Sequence, residues 1–211
     1  MGHNLYTLVK IVEILKMKKA DKSPGIEVLT TNTIYEGRIF DVKIADIRHD
    51  GLEYKREIIV HKGSVVIVPV FDDGTVGMVR QYRYAAGKFL LEIPAGTLKK
   101  GEPLEEGARR ELEEEIGVTA SGLEKLTEFY VSPGFLTEKM YVFLATGLTA
   151  TAQALEDDEI LSVERHKFSD LFEMIRSGEI EDAKTICGLM LAGARLGINI
   201  FATFLPSKMR D

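Results

Sequence analysis

Between Gly96 and Val118 the chain reads GTLKKGEPLEEGARRELEEEIGV. At helical spacing Glu111, Glu114 and Glu115 fall within one third of the circumference, with Gly107 on the same face and Glu113 pointing away. Like charges four residues apart destabilise a helix. Two anions about 4 Å apart repel by roughly 1 kcal/mol in water and roughly 4 kcal/mol near a protein surface. A bound divalent cation reverses that sign. Oxygen ligands with no His or Cys cluster nearby favour Mg2+ or Mn2+ over zinc. The plain alternative is a solvated acidic face, which is what charge runs usually are.

A helix must hold these carboxylates, and its ends are marked. Pro103, next to Glu102, suits the first helical position, and Gly117 suits a left-handed terminating position. Leu104, Ala108, Leu112 and Ile116 form an adjacent apolar stripe, so one side can be buried while the carboxylate edge stays beside it.

Other segments are read from their alternation and turn signals. After KSPG, the β-like runs GIEVLTT, TIYEGRIFDVKIADIR and LEYKREIIVHK, with HDG at 49–51 as a hairpin turn, predict a small antiparallel sheet over 26–62. That unit is too small to bury a core of its own. From Gly63 onward, SVVIVPVF, the turn DDG and TVGMVRQYRY predict a buried strand and its hairpin partner. EFYV, KMYVFLA and SVERHKF are strand-like, and SPGFLTE is the loop between the first two. Two closing helices are expected, one capped by Ser169 and ending at Gly178, the other following Asp182 and ending near Gly197. The pattern is α+β, a mixed sheet between helices over 63–211. In the extension 1–25, Leu5, Leu8, Val9, Val12 and Leu15 recur at helical spacing, fitting an amphipathic helix that docks either on the body or on a partner.

Composition narrows the function. The 211 residues carry 45% apolar and 28% charged side chains, ordinary for a soluble domain. A net charge of −6 argues against a general nucleic-acid binder, and the first apolar run is broken by Lys10, Glu13 and Lys16, too soon for a membrane span or a signal peptide. A cytoplasmic protein is expected. The single cysteine, Cys187, sits in TICGLMLAGA and reads as a small buried thiol. His3, His49, His61 and His166 show no ligand spacing. With no Trp, any aromatic stacking must use Phe or Tyr, and Tyr35 and Phe40 are available.

Gly96, Glu102, Arg110, Glu111, Leu112, Glu114, Glu115, Gly117 and Val118 reproduce the spacing of the Nudix box without a departure, and the chain resembles the Nudix hydrolase family. LEIPAG before the box, SPGF with Pro133 fifteen positions after Val118, REIIVHKGSVVIVPV, VRQYR and GEIEDAKTI resemble its ADP-ribose pyrophosphatase branch over roughly residues 26–196. The resemblance implies the Nudix fold and Mg2+-dependent hydrolysis of ADP-ribose to AMP and ribose 5-phosphate, with Mn2+ able to substitute. It implies metal ligation by the Ala95 carbonyl, Glu111 and Glu115, with Glu114 completing the cluster and Arg110 aiming a carboxylate. Glu102 fits equally a loop-to-helix brace or a member of the metal site. Glu138 stands where the family places a glutamate that positions or deprotonates water. Arg56 and Arg83 correspond to substrate-contacting arginines, Arg56 commonly from a second subunit, and Pro133 and Gly134 lie on the substrate loop. A homodimer exchanging the first sheet is expected. Alternatives are a broader nucleoside-diphosphate-sugar hydrolase, such as one favouring GDP-mannose, and a non-catalytic ADP-ribose sensor.

Overall fold

The computed structural model describes residues 25–155 and 160–199. The expected N-terminal helix, the acidic run at 156–159 and the tail from 200 lie outside them.

The first three strands, β1 (Glu27–Glu36), β2 (Phe40–His49) and β3 (Leu52–His61), form the expected small antiparallel sheet. The β2–β3 turn has Asp50 and Gly51 at φ 50° and 78°, the mirror-image geometry whose twist suits a two-residue hairpin. The break between β1 and β2 falls at 37–39, inside a run read as one strand, and residues 27–36 are continuous. Gly37 allows this turn: its N–H donates to the Phe40 carbonyl, and a Cβ there would lie 2.6 Å from the Tyr35 ring.

The body holds two further sheets. β4 (Ser64–Pro69), buried at all six positions, runs antiparallel to β7 (Ala95–Thr97) and parallel to β9 (Lys139–Ala150), which pairs in turn with β8 (Val118–Tyr130). β5 (Thr75–Arg83) lies between β10 (Leu161–Lys167) and β6 (Lys88–Glu92). The turn expected between β4 and β5 forms, with Gly74 at φ 78°, but the pairing across it is a single bridge from Val70, just past the end of β4, to Val76. The hairpin expectation is therefore corrected: β9 pairs along the whole of one edge of β4, and β7 with the Pro94 carbonyl takes Ser64–Ile67 on the other, so β5 pairs with β10 and β6 instead.

Helices cover both faces. Val65 and Ile67 meet Ala108, Leu112 and Ile116 of α1 (Leu104–Ile116). Val66 and Val68 meet Phe168, Leu171 and Phe172 of α2 (Phe168–Ser177) and Leu189 and Ala192 of α3 (Ala183–Arg195). The two-residue period of β4 thus feeds two cores, each buried large apolar side chain contributing about 1.5–3 kcal/mol.

Helix ends agree in part with expectation. Gly117 closes α1 in the left-handed region at φ 64°, and Asp182 caps α3 by accepting the Thr185 N–H. Pro103 is the N-cap of α1 rather than its first residue, at ψ 141°. Ser169 is not the cap of α2: burial of Phe168 draws the first turn back so that Lys167 takes that place. Cys187 is exposed, against the buried reading. α3 buries Thr185, Gly188, Leu189 and Ala192 instead, and Gly188 faces Ile93 so closely that a Cβ would approach to 2.5 Å.

Candidate active site

α1 delivers its carboxylate edge against the short strand β7. Glu111 and Glu115 are 5% and 2% exposed, buried to a degree rare for glutamate, while Glu114 is half-buried and Glu113 faces solvent. Their neighbour is main chain. Glu115 Oε2 accepts the Ala95 N–H at 3.0 Å. At Gly96 a Cβ would stand 1.9 Å from Glu111 Oε1, so only glycine lets the strand approach this closely. Gly107, on the same edge, admits Leu98 and Glu102 in the same way.

Arg110 organises the acidic face. Its guanidinium donates to Glu102 at 2.8 and 3.0 Å, to Glu111 at 2.6 Å and to Glu114 at 2.7 Å. The bond from Arg110, with help from the Lys99 N–H at 2.8 Å, holds the Glu102 carboxyl at about 2 against burial that pushes it up. The same carboxylates, Glu102 first, raise the guanidinium's own pKa, so it stays charged throughout. Glu102 therefore braces loop to helix through Arg110. Among the described residues no three acidic, His or Cys side chains converge as a ready cation cage. The donor chemistry nevertheless suits a hard dication: carboxylate oxygens outnumber the guanidinium along one edge, opposite backbone held close by Gly96.

Two depressions, of about 640 and 440 Å3, share Ala95, Gly96, Thr97 and Arg83. The larger is lined by Glu111, Glu114 and Glu115 with Lys62, Gln81 and Lys99. The smaller holds Glu138, Ser64, Phe129, Tyr130, Lys184 and Cys187. The floor thus places box glutamates on one side and Glu138 on the other. Ser64 Oγ donates to Glu138 Oε1 at 2.7 Å.

Arg83 does not stand free at this junction. Nε and a terminal nitrogen fork onto Glu92 at 2.8 and 2.6 Å, and Lys184 also donates to Glu92 while lying 3.0 Å from Asp182. Burial pushes the Glu92 carboxyl up, but the Arg83 bond and the Lys184 charge outweigh it and leave it below the ordinary value. Glu92, 1% exposed, is a residue the sequence reading passed over although it stands in LEIPAG. Lys184 and Ser64 were passed over as well. Their partners lie 92 and 74 positions away, beyond any local pattern.

Other expected substrate residues are not gathered here. Arg56 stacks on Tyr54 at 4.2 Å and lines neither depression. Pro133 and Gly134 are exposed on a loop stitched to β3, where the Ile59 N–H meets the Phe135 carbonyl at 2.7 Å and the Thr137 N–H meets the Ile59 carbonyl at 2.9 Å. Tyr35 and Phe40, 6.1 Å apart and tilted, are exposed on the small sheet.

The NUDIX domain profile matches residues 60–189. An ADP-ribose pyrophosphatase of Bacillus subtilis (strain 168) is 40% identical over 167 residues, 78% of this chain and 90% of that protein. A GDP-mannose pyrophosphatase of Escherichia coli O1:K1 is 36% identical over 152 residues, 66% of this chain and 78% of its own. A crystal structure of an ADP compounds hydrolase superposes with a TM-score of 0.74 at 22% identity, covering 91% of this chain and all of that one, a likeness of fold. With the box of glutamates on α1, its floor at Ala95–Thr97 and these relatives in agreement, the chain belongs to the NUDIX family and is a Nudix hydrolase.

Proposed function

We propose that the enzyme hydrolyses the diphosphate of ADP-ribose to AMP and ribose 5-phosphate with Mg2+, for which Mn2+ can substitute. The observation that carries this reading is the shared floor: Ala95–Thr97 lies between the acidic edge of α1 and a depression holding Arg83, Lys184 and Glu138. Glu111, Glu114, Glu115 and the Ala95 carbonyl are the groups to hold the cation, which when bound neutralises phosphate charge and acidifies water. Arg110 orients Glu111 and Glu114, and Glu102 orients Arg110. Arg83, fixed by Glu92, offers a charge to the phosphates where both depressions meet. Glu138 is the base that takes a proton from water. Positioning and fixed charge supply most of the acceleration in such substitutions.

The adenine and ribose assignment leans on the Bacillus subtilis relative, and the GDP-mannose pyrophosphatase of E. coli supports a second reading with the same chemistry on another nucleotide sugar. A panel of nucleoside diphosphate sugars, with products identified by mass, decides between them. ADP-ribose is expected to be cleaved fastest, and chelation is expected to abolish turnover. Stoichiometric binding without any product in Mg2+ overturns the catalytic reading in favour of a sensor. The small sheet exposes Ile26, Val28, Ile34, Ile39 and Leu52, which supports a homodimer in which it covers a second copy. Sedimentation at micromolar concentration tests this, a monomer being the contrary result. Among the described residues no helix is long and apolar enough to cross a membrane; a cytoplasmic location is proposed separately, and cell fractionation tests it.

A further inference from the structure

Ser64 opens β4 at the point where three segments meet. Its backbone registers with Thr97 of β7 on one side and Met140 of β9 on the other, and its side chain, 6% exposed, lines the smaller depression. Its hydroxyl is the hydrogen-bond donor to the Glu138 carboxylate among the described residues, at 2.7 Å to Oε1. His61 is the other polar neighbour, with Nδ1 at 3.6 Å from Oε1, too far for a hydrogen bond. That nitrogen accepts the Gly63 N–H at 3.1 Å, so it presents a lone pair and donates nothing to Glu138. A carboxylate on a loop can rotate freely about its last bond. Here one oxygen is tethered to a rigid buried strand.

We propose that Ser64 is a positioning residue for hydrolysis: its hydroxyl pins Oε1 of Glu138 and leaves Oε2 to meet the attacking water. Oε2 accepts a proton as the water oxygen bonds to phosphorus, and the bridging oxygen departs with the electron pair of the broken P–O bond. This rests on Glu138 being the base. A hydroxyl fixing a base is the same logic by which a third group orients the base of a catalytic triad.

Steady-state kinetics of the wild type, Ser64→Ala, Glu138→Gln and the double variant test it, on ADP-ribose in Mg2+ or on GDP-mannose should the panel select that substrate. Glu138→Gln is expected to lower kcat by about 10² to 10⁴. Ser64→Ala, which loses one bond to a charged group, is expected to lower kcat about tenfold with KM within about twofold. In the double variant the Ser64 change is expected to cost nothing further, because Ser64 acts only through Glu138. Wild-type turnover in Glu138→Gln overturns the base assignment and this inference together. An impaired Glu138→Gln beside an unimpaired Ser64→Ala, a loss confined to KM, or losses that multiply in the double variant overturn this inference alone.

Discussion

Gly96 concentrates the demands of the site into the absence of one methyl group. An alanine there places Cβ 1.9 Å from Glu111 Oε1, and the near atoms are the end of a glutamate side chain, so the chain can yield by swinging Glu111 away. Gly96→Ala is therefore expected to fold, with unchanged far-ultraviolet circular dichroism, and to lose about 10²-fold in kcat through the displaced carboxylate. Wild-type kcat in this variant means that Glu111 has no part in the reaction. The spacing of Glu111, Glu114 and Glu115 was readable along the chain because one helix carries all three. Glu92, Lys184 and Ser64 were not, since each acquires its role from a partner on another element. Cys187 shows the opposite error: an apolar neighbourhood in sequence does not decide which face of α3 turns to the core.

Elements were legible where one residue type settles a backbone conformation. Gly117 ends α1 at φ 64°, and a Cβ there would also sit 3.0 Å from the Thr151 carbonyl. Gly117→Ala is expected to cost about 1–2 kcal/mol in urea unfolding, through the left-handed geometry alone. A change below a few tenths of a kcal/mol contradicts that account of how the helix stops. Asp182 as cap and the Asp50-Gly51 turn were likewise visible, for each satisfies or bends its own neighbours. Strand pairing was not. The turn between β4 and β5 is real, yet competition from β7 and β9 for the edges of β4 decides the partners, and that competition involves residues up to 76 positions away, as in Ser64 and Met140. Ser169 lost its cap to the burial of Phe168, a tertiary preference overriding a local one.

For the whole molecule, the cluster around Arg110 couples folding to acidity. The Glu102 carboxyl sits at about 2 in the folded protein against an ordinary 4.5, so its contribution is complete above 4.5 and is lost as the pH falls towards 2. Without added metal, the wild type is expected to lose stability across that interval, and Glu102→Gln to show a shallower slope there, measured by thermal melts at successive pH values. Equal slopes would detach Glu102 from the acid response. The small antiparallel sheet and the helix-covered body were both foreseen from alternation and turns, whereas the existence of two separate sheets in the body was not. Finally, the guanidinium lodged between Glu111 and Glu114 acts as a resident counter-ion. On the proposed function, the dication would then have to exchange with this guanidinium as partner of Glu111 and Glu114, entering a face whose charge is already balanced in part.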